Sequence, residues 1–235
     1  MNTQLVTAAS PRPVLELDLI ADFACPWSYL GKRSLERALG NLYGAQVNAM
    51  RWHGFTLKPT DRHDPVLWND HLATRLPQGI SVDFAQRSLE EAGRDAGITF
   101  HFDQVKRLPD TREAHRLVKL AAADNRQGEV VDALFSSFFE KGRDIEQREV
   151  LEDVARTCGL SAETLAAFAD PAKGRDDVEA EEKRLRGMGV VTTPNLLING
   201  RVLVPGPADV STYLQALDQA LFPQLTAPAE KGQLH

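Results

Sequence analysis

The sequence predicts an α/β fold in which one sheet is assembled from the two ends of the chain around a large all-helical insertion. Three observations predict it. A strand–helix–strand pattern opens the chain, amphipathic segments ending in glycine fill its middle, and a strand–strand–helix pattern closes it. The sheet-forming parts are expected over 12–60 and 187–222, the insertion over 61–186, and a fraying tail over 223–235.

Each element has a local reason. After a loose start, VLELDLIA (14–21) alternates and is rich in Val, Leu and Ile, which reads as a buried strand. Residues 26–39 repeat Leu30, Leu35, Ala38 and Leu39 at helical spacing, and 46–55 reads as a second strand. Strand–helix–strand implies parallel pairing through a right-handed crossover. The segments 85–97, 110–128, 130–142 and 147–159 are amphipathic and end in glycine, as capped helices do. Asp110-Thr111 followed by Glu113 reads as a capping pair, and Ser161 opens a further short helix. NLLING (195–200) and RVLV (201–204) meet at Asn199-Gly200, a strong hairpin signal, and 207–221 closes as a helix. Folding brings the start of the first helix beside the 192–194 loop.

Composition narrows the function. The 235 residues carry a net charge of −6 with no basic block, which argues against nucleic acid as a partner. No apolar run approaches the ~18 residues of a membrane span, and no hydrophobic segment precedes Ala8-Ala9-Ser10 to make it a signal-peptide cleavage site. Two cysteines, Cys25 and Cys158, give no disulfide framework, so a reduced, cytoplasmic protein is expected. The six histidines form no ligand pair with a cysteine or carboxylate motif, and His53 and His115 read as packing or surface residues. A glycine-rich phosphate loop is absent, and no spacing supports a Cys-His hydrolase.

The chemistry-bearing stretch is ADFACPWSYLGK (21–32). Cys25 is expected at the N-cap with Pro26 first in the helix, so the sulfur faces free backbone N–H groups and the positive helix end. Both favour the thiolate, and a lowered thiol pKa is the expectation; the competing reading is a buried, inert cysteine. Ser28 lies one turn on, where a dithiol site has its second cysteine. Serine cannot resolve a mixed disulfide. Either an outside thiol such as glutathione resolves Cys25, or Cys25 forms no disulfide and activates a bound thiol instead. Cys158 falls at core spacing near a helix end and reads as packing. For Thr193-Pro194 the base expectation is trans, since only about 5–6% of X–Pro bonds are cis.

The combination of DFACPWSYLGK (22–32), WHGFTLKP (52–59), LPDTREAHRLVKLA (108–121), LFSSFFEKGRDI (134–145) and VVTTPNLLING (190–200) resembles the DsbA-like branch of the thioredoxin superfamily. Within it, the resemblance is to the FrnE-like and 2-hydroxychromene-2-carboxylate isomerase group. It covers nearly the whole chain. The implied fold is a thioredoxin-like fold with a large all-helical insertion. The implied site has Cys25 as the reactive residue and Pro194 as a cis-proline facing it, with Thr193 exposing its backbone for pairing with an extended peptide or glutathione. Cysteine at 25 is like the oxidoreductases, whereas serine at 28 departs from their Cys-Pro-Trp-Cys; isomerase and kappa-class transferase relatives usually carry serine at the position of Cys25. The resemblance also points to the start of the last helix, where Asp209 either binds the amine of glutathione or complements the helix dipole.

The expected function is a thiol–disulfide oxidoreductase with a single active thiol. Cys25 and Ser28 carry the chemistry, and Pro26, Trp27, Thr193, Pro194 and Asp209 hold substrate or glutathione. The alternatives are a glutathione-dependent isomerase or transferase of a small aromatic compound, and a non-catalytic peptide-binding module. No tightly bound cofactor or metal is expected. Glutathione is the expected cosubstrate beside a small-molecule or protein disulfide, and relatives suggest a homodimer.

Overall fold

A computed structural model describes residues 14–42, 46–57 and 65–223. The expected tail beyond 223, the start before 14 and the expected boundary at 60/61 lie outside the described residues.

β1 (Val14–Ala21) is the centre of a four-stranded sheet of order β2-β1-β3-β4. It pairs parallel with β2 (Gln46–Gly54) after the crossover helix α1 (Pro26–Gly40), and antiparallel with β3 (Asn195–Ile198). β4 (Val202–Pro205) extends β3 as a hairpin. The turn between them needs left-handed backbone, which Asn199 (φ 51°) and Gly200 (φ 63°) supply. Asn199 also locks the hairpin to the central strand: its N–H donates to the Glu16 carbonyl at 2.8 Å, and its Oδ1 accepts from the Glu16 N–H at 2.7 Å. Leu15, Leu17 and Leu19 of β1 pack with Leu35 of α1 and Leu217 of the last helix, α9 (Val210–Leu221).

Between β2 and β3 run α2 (Trp68–Ala73), α3 (Val82–Ala96), α4 (Arg112–Leu120), α5 (Gln127–Phe135), α6 (Arg148–Thr157), α7 (Ala162–Ala169) and α8 (Arg175–Gly187). The expected helices thus form, with differences that have local causes. The segment 110–128 is not helical to its end: α4 stops at Leu120, and a short 3₁₀ turn closed by left-handed Asn125 (φ 54°) separates it from α5, which already begins at Gln127. Thr111 makes no side-chain cap; Asp110 Oδ1 accepts the Arg112 N–H instead. α5 continues through a π turn over Ser136–Glu140 before Gly142 (φ 59°). Ser161 does cap α7, accepting from the Thr164 N–H. α2 and α8 are additional to the expected helices.

The insertion is more than a lid over the sheet. Phe23 and Tyr29, on either side of Cys25, are buried in the insertion's aromatic core. Tyr29 stacks on Phe135 at 4.7 Å and Phe23 on Trp52 at 5.1 Å. The loop bearing Cys25 is therefore fixed from both halves of the chain.

His53 ties β1 and β2 to α8 through Asp18 and Glu181, each at 2.8 Å. Burial pushes its pKa down, but hydrogen bonds and charge from Glu181 and Asp18 outweigh this and hold it above the ordinary value. A group raised on folding contributes stability that is full below its unfolded pKa of about 6.5 and is lost as pH rises through the folded value. His53→Ala is therefore expected to lower the urea midpoint more near about pH 6 than near about pH 9. Equal losses at both pH values would remove this ion-pair account.

Candidate functional site

The site begins where β1 ends. The Asp22 carboxylate is wholly buried and accepts the N–H groups of Ala24 at 3.2 Å and Leu57 at 2.5 Å, which shapes the turn into α1. The Cys25 N–H closes that turn on the Asp22 carbonyl at 3.1 Å. Cys25 is then the N-cap of α1 in an extended conformation (φ −103°, ψ 109°), with Pro26 first in the helix. His115 of α4 backs this turn. It accepts from Trp52 Nε1 at 3.4 Å through Nδ1, which leaves Nε2 toward Asp22 Oδ1 at 3.6 Å. His115 is thus a packing residue, as expected, though one joined to the Cys25 turn.

The facing loop comes from the far end of the chain. Thr193–Pro194 is cis, and Cys25 Sγ donates to the Thr193 carbonyl at 3.5 Å. The loop is held by Gly206 N–H to the Pro194 carbonyl at 2.8 Å and by Asn195 Nδ2 to the Thr192 carbonyl at 2.6 Å. Gly31 permits the approach of α1 to this loop: a Cβ there would meet the Tyr213 hydroxyl at 3.1 Å and Pro194 Cγ at 3.4 Å.

Cys25 is only 2% exposed, yet it lines an open cavity of about 220 Å³ together with Pro26, Trp27 and Thr193. Burial pushes the thiol up from its ordinary value; the Asp22 charge adds to this, while Ser28 and Thr193 pull the other way without prevailing. The expectation of a lowered pKa is therefore overturned. The physical reason is burial: the enclosed sulfur is cut off from the solvent that would stabilise a thiolate, and the Ser28 amide at the helix start and the neighbouring hydroxyls do not make up the loss. Ser28 is fully buried beside it. Its hydroxyl has no well-aligned partner among the described residues, and after burial it is the strongest influence on the sulfur, favouring the thiolate.

Asp209, expected to hold substrate, stands apart from this cavity, and Cys158 is the packing residue the sequence suggests. Asp209 caps α9, its Oδ1 accepting the Thr212 N–H at 2.7 Å and the Ser211 hydroxyl at 2.9 Å, and it borders a neighbouring groove beside Trp27 and Pro207. Cys158 is half-buried against the insertion core, and burial pushes its thiol up as well. Neither cysteine is in a disulfide.

Sequence reasoning missed the cavity's third wall. Trp68, His71, Leu72 and Arg75, from α2 and the turn that follows it, line the cavity with Cys25. Their i, i+3, i+4, i+7 spacing is the signal that was available. It also missed Asp22, whose role depends on Leu57 rather than on any neighbour in sequence.

Comparison with known proteins agrees with this geometry. A family model described as a DSBA-like thioredoxin domain matches residues 16–218. A probable DsbA oxidoreductase from Streptomyces coelicolor is 27% identical and superposes with a TM-score of 0.77, covering 92% of this chain and 93% of that one. A 2-hydroxychromene-2-carboxylate isomerase shares the fold at 15% identity and TM-score 0.64, covering 92% and 100%. The cytosolic disulfide reductase DsbM from Pseudomonas aeruginosa, solved with GSH, shares it at 21% identity and TM-score 0.50, covering 89% and 97%.

Proposed function

Because the chain belongs to the family of DSBA-like thioredoxin domains, we propose that it is a thiol–disulfide oxidoreductase working through the single thiol of Cys25, with glutathione completing the cycle. The observation that carries this reading is Cys25 at the floor of an open cavity, against the cis-proline loop, with Ser28 where an internal resolving thiol would stand. The solved complex of DsbM with GSH motivates the choice of cosubstrate.

Cys25, once deprotonated, attacks one sulfur of a disulfide, forming a mixed disulfide and expelling the other sulfur as a thiolate. Ser28 has no sulfur with which to displace the bound half. A glutathione thiolate therefore attacks the bound sulfur, leaves with it as a new disulfide, and returns Cys25 to its reduced form. A strong oxidant of this kind has a stabilised thiolate, whereas burial here disfavours it, which supports the reducing direction. Thr193 supplies the carbonyl that holds the resting thiol, and Trp27 forms one cavity wall.

A second reading, a glutathione-dependent isomerase or transferase of a small aromatic compound, is favoured by the S–H donated to the Thr193 carbonyl. A protonated Cys25 could donate the same hydrogen bond to a bound glutathione thiolate. Cys25→Ser separates the two readings, because serine keeps the donor and loses the exchange. Glutathione-coupled reduction of bis(2-hydroxyethyl) disulfide is expected to fall to the uncatalysed rate in Cys25→Ser. Undiminished turnover would overturn the exchange reading.

A further inference from the structure

We propose that the α2 wall of the cavity is an anion-recognising subsite, which selects thiols and disulfides bearing a carboxylate. Residues 68, 71, 72 and 75 fall on one face of the helix and its last turn, and all four line the cavity floored by Cys25. Trp68 is 1% exposed, and its Nε1–H has no hydrogen-bond partner among the described residues. A buried donor left unpaired is costly until a ligand supplies an acceptor. Arg75, two positions beyond the end of α2, is exposed and makes no ion pair or hydrogen bond through its guanidinium among the described residues. A guanidinium presents several donors to a carboxylate at once.

His71 lies between them. Burial, aided by the positive charge of Arg75, lowers its pKa to about 4, so at neutral pH it is an uncharged hydrogen-bonding group. Asp22, the buried acid whose charge acts on His71, has its oxygens engaged by the Ala24 and Leu57 amides. The wall thus offers one positive charge and two neutral polar groups above apolar Leu72. Around it the cavity is lined by Ala24, Pro26, Trp27 and Leu57, which suits a short apolar chain or ring ending in a carboxylate.

This rests on the exchange reading for its chemistry, though not for its binding. In the resolving step, a carboxylate-bearing thiolate attacks the sulfur attached to Cys25. It forms a disulfide with the departing group, and Cys25 leaves with the electron pair of the broken S–S bond and takes a proton from solvent. The carboxylate stays on α2 throughout.

Two measurements on the full chain test the proposal and keep the two readings apart. The first uses calorimetry with 3-(methylthio)propionate against its neutral counterpart 3-(methylthio)propanol, neither of which has a free thiol. The acid is expected to bind about tenfold tighter, with the preference abolished in Arg75→Ala, reversed in Arg75→Glu and weakened in Trp68→Phe, while the alcohol binds the two Arg75 variants as it binds the native chain. The second measures how fast 3-mercaptopropionate and 2-mercaptoethanol release a glutathionyl group from Cys25, and expects the same charge preference. Equal binding of acid and alcohol, or a preference indifferent to Arg75, would overturn the subsite. Selective binding with no exchange at Cys25 would leave the subsite standing and sink the exchange reading instead.

Discussion

Ser28→Cys is expected to abolish the stable glutathione adduct at Cys25. The introduced thiol lies one helical turn away on the buried face that Ser28 now occupies. It attacks the Cys25 mixed disulfide, closes an internal disulfide between positions 25 and 28, and releases glutathione. An intramolecular thiol acts at an effective concentration on the order of millimolar or more, so it outcompetes dilute external thiol. Sulfur is larger than the hydroxyl oxygen it replaces, and in the packed site this is expected to cost about 1 kcal/mol of stability. Mass analysis after oxidised glutathione, with thiol titration, reads the result: an adduct in the native chain, and an internal disulfide without adduct in the variant. A persistent adduct in Ser28→Cys would show that residue 28 cannot reach the bound sulfur.

Removing the Asp22 carboxylate is expected to cost about 3 kcal/mol, because Asp22→Ala leaves the Ala24 and Leu57 amides without an acceptor. Asp22→Asn keeps an amide oxygen for one of them and is expected to cost about half as much. The same change has an opposite, readable effect on the thiol. The Asp22 charge is among the forces that push Cys25 up, so neutralising it lowers the Cys25 pKa. The pH profile of Cys25 alkylation should therefore lie on the alkaline side of an ordinary thiol, about 8.5, in the native chain, and move toward acid in Asp22→Asn. Urea denaturation and alkylation kinetics check both halves. An unchanged midpoint in Asp22→Ala, or an alkaline shift in Asp22→Asn, would contradict the role given to this carboxylate.

The parts of the molecule legible in sequence are those set by short-range chemistry. β1 declares itself by alternation, the Cys25-Pro26 junction by the preference of proline for the first helical turn, and the β3–β4 hairpin by Asn199-Gly200. The cis bond at Pro194 is different in kind. It follows from resemblance to a family, since local preference favours trans.

What sequence misreads depends on distant walls. The helix end alone implies a lowered Cys25 pKa, but the sulfur is enclosed by a loop 168 residues away in the chain, and burial outweighs the helix end. α2 escapes notice because it spans only Trp68–Ala73, so its i, i+3, i+4, i+7 set appears once without repeating, and because that face is shared between the cavity and the aromatic core, where Trp68 stacks on Phe102. The segment 110–128 reads as one helix because a left-handed asparagine interrupts it without a glycine to announce the break.

Cys25 is expected, above all, to form a mixed disulfide that only an outside thiol can undo. The most direct measurement is intact-mass and peptide-mass analysis of the full chain after incubation with oxidised glutathione, followed by reduced glutathione. A single glutathionyl group on Cys25, stable on standing and released when reduced glutathione is added, is the predicted result. A chain that stays unmodified, or is modified at Cys158 alone, would contradict it.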